Sequence, residues 1–172
     1  MSKIDEIIIN YAIYEDATEC LGTAEVTFPE LSSLAEEING AGIAGNVESV
    51  IIGHLEAMTA TFSFRTVTAA AVKLNEPRVH NIDCRVAQQN YNTRTAQIGT
   101  GSVKHIMKMI PKKFAPGKAA AASAADASGE YAVRYYAMYL DGKKVTEVDP
   151  LNFIYMVNGT DYLKEVRKAL GK

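Results

Sequence analysis

Hydrophobic and polar positions alternate most regularly in the middle of the chain. Met58, Ala60, Phe62 and Phe64 fall on one side of an extended backbone and Thr59, Thr61, Ser63 and Arg65 on the other, the period of two that a half-buried strand requires. Residues 79–91 repeat the pattern, with Ile82, Cys84 and Val86 opposite Asn81, Asp83, Arg85 and Gln89. So do residues 99–109, where Val103, Met107 and Met109 oppose Ser102, Lys104 and Lys108. Residues 66–75 predict a short helix with Val67, Ala70, Ala71 and Leu74 on one stripe and Pro77 just beyond its end. The N-terminal third reads as strands around Ile7-Ile8-Ile9 and from Ala24 to Phe28, the second stopped by Pro29.

The last third predicts a hairpin. Tyr131 to Leu140 is a strand, Asp141-Gly142 carries a two-residue turn, and Lys143 to Val148 returns. A further strand spans Asn152 to Val157, Asn158-Gly159 turns again, and a helix runs from about Thr160 to Leu170. Thr160 or Asp161 is its expected N-cap and Gly171 its C′ residue.

Two stretches read as loops. Residues 34–50 centre on Gly40-Ala41-Gly42-Ile43-Ala44-Gly45, where glycine permits backbone angles closed to other residues. Residues 111–128 mix Pro, Lys and Gly with an Ala-rich tract that has no apolar face to bury, and predict an insertion between strands. Leu31 to Asn39 is too short for periodicity to separate helical turn from strand.

At 172 residues the chain suits a single domain spanning 1–172. Its 48% apolar content and formal charge of −2 give no electrostatic footprint for gripping phosphate backbones. The N-terminal residues lack the layout of a signal peptide, no apolar run is long enough to span a bilayer, and Cys20 and Cys84 make neither a disulfide framework nor a zinc motif. A reducing cytoplasm is the expected compartment of synthesis.

Chemistry-bearing motifs are weak. Gly40-x-Gly42-x-x-Gly45 matches a dinucleotide fingerprint, but the residues after it are β-branched rather than helical, and position 65, where an acid would hold a ribose, is Arg65. His54, His80 and His105 are scattered, and no nucleophile elbow or metal-ligand spacing appears. No catalytic, cofactor-binding or metal residue is therefore expected.

The tyrosines carry more information. Alternation puts Tyr131, Val133, Tyr135 and Tyr139 on one side of their strand and Tyr136, Met138 and Leu140 on the other. Both sides are apolar, so either a helix or another subunit must cover the second one. Tyr131, Tyr135, Tyr136 and Tyr139 are accordingly candidates for a subunit interface.

Residues 139–161, with Asp141-Gly142-Lys143, Glu147-Val148-Asp149 and Val157-Asn158-Gly159 followed by a charged helix, closely resemble the end of the major tail tube protein of contractile-tailed bacteriophages. Val26-Thr27-Phe28-Pro29-Glu30-Leu31 and the glycine-rich loop are similar to its N-terminal segment. The two patches cover about half the chain, and the Ala-rich tract matches nothing. The resemblance implies a mainly β protein with minor α, an antiparallel β-sandwich or barrel with a short central helix and a C-terminal helix. It implies hexameric rings stacked into a hollow tube, with a sheath outside, a tape measure protein and, in a phage tail, DNA inside, baseplate and terminator proteins at the ends, and no catalysis. It also implies a place in a virion tail or a phage-tail-like bacteriocin.

In such a tube a polar sheet face would line the bore. Alternation nominates Thr59, Thr61, Ser63, Arg65, Asn81, Asp83, Arg85 and Gln89 for it, against the alternative that they face outward solvent. Gly40, Gly42, Ile43 and Gly45 are the candidates for ring stacking. The competing expectations are a monomeric β-rich binding domain and a nucleotide-binding enzyme using the glycine loop.

Overall fold

The computed structural model describes residues 3–19 and 22–172. Cys20 lies outside them. Strands β1 (Lys3–Glu15), β2 (Thr18–Glu19), β3 (Thr23–Thr27), β4 (Ser33–Ile38), β5 (Val47–Leu55) and β6 (Met58–Phe64) precede a short helix α1 (Ala69–Lys73). Then come β7 (His80–Asn92), β8 (Gln97–Ala115), β9 (Ala127–Leu140), β10 (Lys143–Asp149), β11 (Ile154–Val157), β12 (Thr160–Asp161) and helix α2 (Lys164–Ala169). The protein is mainly β, every pairing is antiparallel, and the helices are small.

The main sheet runs β12-β11-β10-β9-β8-β7-β1-β2, with β6 branching from β9 and carrying β3. Strand β9 causes the branch. Its N-terminal half pairs with β6, Met58 opposite Val133 and Phe64 opposite Ala127, while its C-terminal half pairs with β10. The register against β8 slips between Val133 and Tyr135, leaving Arg134 as the extra residue of a bulge. A bulge bends its strand and increases the local twist. The two halves of β9 therefore diverge, and the sheet folds around one core of Met58, Ala60, Phe62, Phe64, Ile82, Cys84, Met107, Met109, Tyr131 and Tyr136.

The bulge also corrects the reading of the tyrosine strand. Unbroken alternation would put Tyr131 and Tyr135 on one side. The extra residue shifts the phase, so Tyr131, Val133 and Tyr136 all turn inward and are buried, while Tyr135 and Tyr139 turn outward.

The predicted strands in the middle of the chain and the helix near 66–75 form. Thr68 caps α1 by accepting from the Ala71 amide at 3.2 Å, and Ala71 and Leu74 are fully buried. Asp141 and Gly142 (φ 46° and 81°) both adopt the left-handed angles of a type I′ turn.

Other expectations need correction. Residues 34–50 are mostly a hairpin, β4 paired with β5, with only 39–46 as its tip. The insertion is confined to 116–126, because β8 runs through Pro111 to Ala115. Pro111 is tolerated beside a second register slip, where its missing N–H leaves no ladder bond unmade. The terminal helix starts late, since Thr160 and Asp161 pair with β11. Asp161 still accepts from the Leu163 amide at 3.1 Å and pairs with Arg167.

One buried ion cluster ties the helical crossing to the sheet. Glu15, at the end of β1, is 1% exposed and lies 2.5 Å from His80 Nδ1, 2.7 Å from Arg78 and 3.2 Å from Lys73. Burial pushes its carboxyl upward, but hydrogen bonds from His80, Lys73 and Arg78 more than offset this and hold it below the ordinary carboxylate range. Removing the carboxylate takes the charged partner from buried His80 and from the partly exposed Lys73 and Arg78. Glu15→Gln is expected to lower unfolding free energy by about 3 kcal/mol in urea titrations, with little change in the slope m.

Candidate functional site

Among the described residues no enclosed site gathers chemistry. Cys84 is fully buried, and burial, reinforced by the Asp83 charge, pushes its thiol up to about 12, so it serves as a small apolar core residue. Among the described residues no three His, Cys, Asp or Glu side chains converge as metal ligands would. His80 belongs to the Glu15 cluster.

His105 is packed on Phe28, ring centroids 3.7 Å apart, and its Nδ1 lies 2.9 Å from the Tyr136 hydroxyl. Burial raises Tyr136 to about 12, so the hydroxyl keeps its proton in this hydrogen bond. The same burial lowers His105 to about 4. The glycine fingerprint lies at the hairpin tip, where the Ile43 amide donates to the Gly40 carbonyl at 3.1 Å and the chain continues into β5 instead of a helix. That backbone lacks the helix N-terminus a pyrophosphate would need.

What the chain does present is surface. The nominated polar residues all point away from the core, but from two separated strands. Thr59, Thr61 and Ser63 project from β6 beside Ala132, Glu130 and Ser128 of β9. Arg65 lies exposed just past the end of β6. Asn81, Asp83 and Arg85 project from β7 beside Lys108, Ile106 and Lys104 of β8. Arg85 pairs with Asp83 at 2.9 Å and lies over the Tyr14 ring, and Gln89 donates to Glu6 at 2.7 Å.

Between these strands lies a lysine–tyrosine face that the sequence reading did not single out. The Lys104 amine sits 4.6 Å from the Tyr139 ring centre, Lys108 sits 5.3 Å from Tyr135, and Lys144 reaches Tyr139 and Glu147. Tyr135 donates to Glu147 at 2.7 Å, and burial with the Glu147 bond raises its pKa. The second side of the tyrosine strand is thus covered in part by lysine stems and ammonium groups, and helix α2 lies elsewhere. Of the four interface candidates, Tyr131 (1% exposed) and Tyr136 (5%) are spent in this chain's own core and offer a neighbour no surface. Tyr135 and Tyr139 remain partly accessible.

Two apolar surfaces stand out among the described residues. One is the N-terminal half of β1, with Ile4, Ile7, Ile8 and Ile9 all more than half exposed. Strand β1 pairs with β7 on one edge and meets β2 only at Tyr14 and Glu15 on the other, so most of that edge is open among the described residues. The unbroken Ile7-Ile8-Ile9 run was the available signal, since a strand with one wet face should alternate.

The other surface is the β4–β5 arm, exposing Ile38, Ile43, Val47, Val50, Ile51 and Ile52. It joins the body at its base, where the Glu56 amide donates to Ser32 and Gly53 (φ +66°) sits against Leu163. A Cβ at position 53 would come within 2.6 Å of Leu163, so only glycine allows the contact.

The described residues thus form a branched antiparallel sheet with its own core, an open isoleucine edge and a projecting arm. The chain belongs to the family of phage tail tube protein FII, whose profile matches residues 5–171. It is 22% identical over 171 residues to the tail tube protein of Escherichia phage P2, covering 98% of this chain and 95% of that one. Its fold is similar to the sheath/tube terminator in the cryo-EM structure of an extracellular contractile injection system, PVC, in its extended state, with TM-score 0.54 and 11% identity over 76% of this chain and 94% of the other. Membership makes the chain a tail tube structural protein of contractile systems.

Two outcomes follow for the isolated subunit. Tyr131→Ala should cost about 3–5 kcal/mol of stability, whereas Tyr139→Ala should cost within about 1 kcal/mol, both read by chemical denaturation. Because His105 is held neutral in the fold, its contribution is intact above the ordinary histidine value near 6.5 and is lost as pH falls from there toward 4, about 3 kcal/mol in all. His105→Asn should flatten that slope. The Glu15 contribution is lost at lower pH, as its depressed carboxyl titrates.

Proposed function

We propose that the chain assembles with copies of itself into hexameric rings that stack into the inner tube of a contractile phage tail or phage-tail-like bacteriocin. It acts there as a passive conduit without catalysis. The observation that carries this reading is the pair of uncovered apolar surfaces, the open β1 edge and the β4–β5 arm. Burying an isoleucine side chain contributes roughly 1.5–3 kcal/mol, so leaving this many in water favours association. Two different patches on one chain make a heterologous contact, and such contacts close into rings or propagate as helical stacks.

In the assembled tube Thr59, Thr61, Ser63, Arg65, Asn81, Asp83, Arg85 and Gln89 line the bore. Gly40, Gly42, Ile43 and Gly45, at the tip of the arm, contact the next ring, and Tyr135 and Tyr139 meet a neighbouring subunit. A sheath protein surrounds the tube, a tape measure protein and, in a phage tail, DNA occupy it, baseplate and terminator proteins close its ends, and the whole is built in the bacterial cytoplasm as part of the tail.

Negative-stain microscopy and size-exclusion chromatography of the purified chain should show six-fold rings and tubes. A monomer that stays monomeric at high micromolar concentration would overturn the reading. Deleting residues 40–45 should leave a folded subunit and no tubes. With cysteines placed at Thr61 and Asp83, assembled tubes should resist a maleimide reagent too bulky for the bore, and rapid labelling would remove those residues from the lumen.

A further inference from the structure

The charges of this chain are segregated. Every Asp, Glu, Lys or Arg between Ile4 and Phe64 is acidic, and every one between Cys84 and Ala125 is basic. Blocks of opposite sign in one small domain would ordinarily neutralise one another. Here, among the described residues, no ion pair joins an acid of the first block to a cation of the second. Glu15 pairs with Lys73, Arg78 and His80, Asp5 with Lys3, Arg85 with Asp83, Lys113 with Glu130, and Lys118 with Asp126.

The first block is most concentrated on the β4–β5 arm. Glu37 and Glu48 stand directly opposite each other in the register, with Glu36 next along the strand, and all three are exposed. Like charges directly opposed across a strand pair are destabilising. Among the described residues, the Asn46 side-chain amide donates to Glu37. The second block is concentrated on β8, a strand with lysines at 104, 108, 112 and 113 and no acid along its length. Lys104 and Lys108 are occupied by tyrosine rings. Lys112 has no acidic partner among the described residues, and Lys113, which is exposed, reaches the half-buried Glu130 only at 3.8 Å.

Arm and lysines also lie apart. The arm leaves the body beside Met58, the start of β6, which pairs with Val133. Lys113 pairs opposite Glu130, and from there β8 runs on to Ala115 beside Ser128, toward the end of β6 at Phe64. An acidic projection at one end and a basic strand running to the other form a head-to-tail pair that can repeat without limit.

We propose that the acidic β4–β5 arm of one copy docks on the Lys112–Lys113 segment of β8 in another copy, so that charge complementarity between copies sets the polarity of stacking. This rests on the tube reading. Within the contact, the lysines relieve the Glu37–Glu48 repulsion while the exposed valines and isoleucines of the arm supply apolar area. Complementary charge of this kind governs orientation and rate more than total affinity, and it weakens with salt.

The test uses the full chain in three forms: an arm variant (Glu36→Lys, Glu37→Lys, Glu48→Lys), a strand variant (Lys112→Glu, Lys113→Glu), and the combination of both. All changed side chains are exposed, so folding is verified by circular dichroism and thermal melting. Each single-sided reversal should lower the pelleted, tube-forming fraction at least about tenfold at low salt, and the combination, complementary again, should recover it. A second measurement pairs Glu37→Cys with Lys112→Cys and looks for an intermolecular disulfide under mild oxidation. Wild-type chain that forms no rings or tubes defeats the tube reading and this contact with it. Wild-type tubes that persist in either reversed variant, or a folded combination that fails to recover, overturn the contact and leave the tube reading standing.

Discussion

Strand β9 holds β8 along one edge for its full length, and its other edge is divided between β6 and β10. No straight strand can satisfy both, because β6 and β10 would have to occupy one line. The bulge at Arg134 is placed where the partner changes. It turns the strand, and in doing so brings side chains from both halves onto a single core. Tyr131 and Tyr136 lie on either side of that turn, and each fills space that a change of phase has opened. The closure of the sheet, the composition of its core and the outward placing of Tyr135 and Tyr139 all depend on this one extra residue.

The core so formed belongs to one chain and is well filled, with Phe62, Phe64, Met107 and Met109 almost wholly inaccessible. The surfaces offered to others are kept away from it. The isoleucines of β1 lie on the half of that strand remote from Glu15, and the arm joins the body at its base. This division lets a subunit fold before it meets its neighbours. The buried Glu15 cluster has its place in the same division, since it fixes the helical crossing to the end of β1 and leaves the rest of that strand free.

Much of this was legible in the sequence where one rule dominated locally. Strict alternation at 58–64 and 80–86 marked strands whose faces are as expected, and the Asp141-Gly142 and Asn158-Gly159 pairs marked tight turns. Legibility failed where two rules competed. The bulge at Arg134 has no composition of its own, so alternation across it assigned Tyr131 to the wrong company. Glycines near 40–45 outweighed the β-branched run from Val47 to Ile52, and a hairpin was read as a loop. Pro111 and its neighbouring lysines signalled an interruption, but the strand absorbed them at a slip in register. Alternation showed which residues point outward, and it carries no information on whether water, a neighbour or a bore lies beyond them.

The arm has a consequence for timing. A two-stranded hairpin alone in water is marginally stable at best, and this one carries opposed glutamates and glycine at its tip. Fixing its backbone costs roughly 1–2 kcal/mol per residue in entropy, and its exposed valines and isoleucines leave much of that unrecovered within the chain. In the proposed tube, the ordering of this element would be completed by contact with a neighbouring copy. A growing end that already presents a receiving surface would be a better place for that ordering than an encounter between two free subunits. Elongation would then be favoured over initiation, and the number of tubes would be limited by the number of starting points.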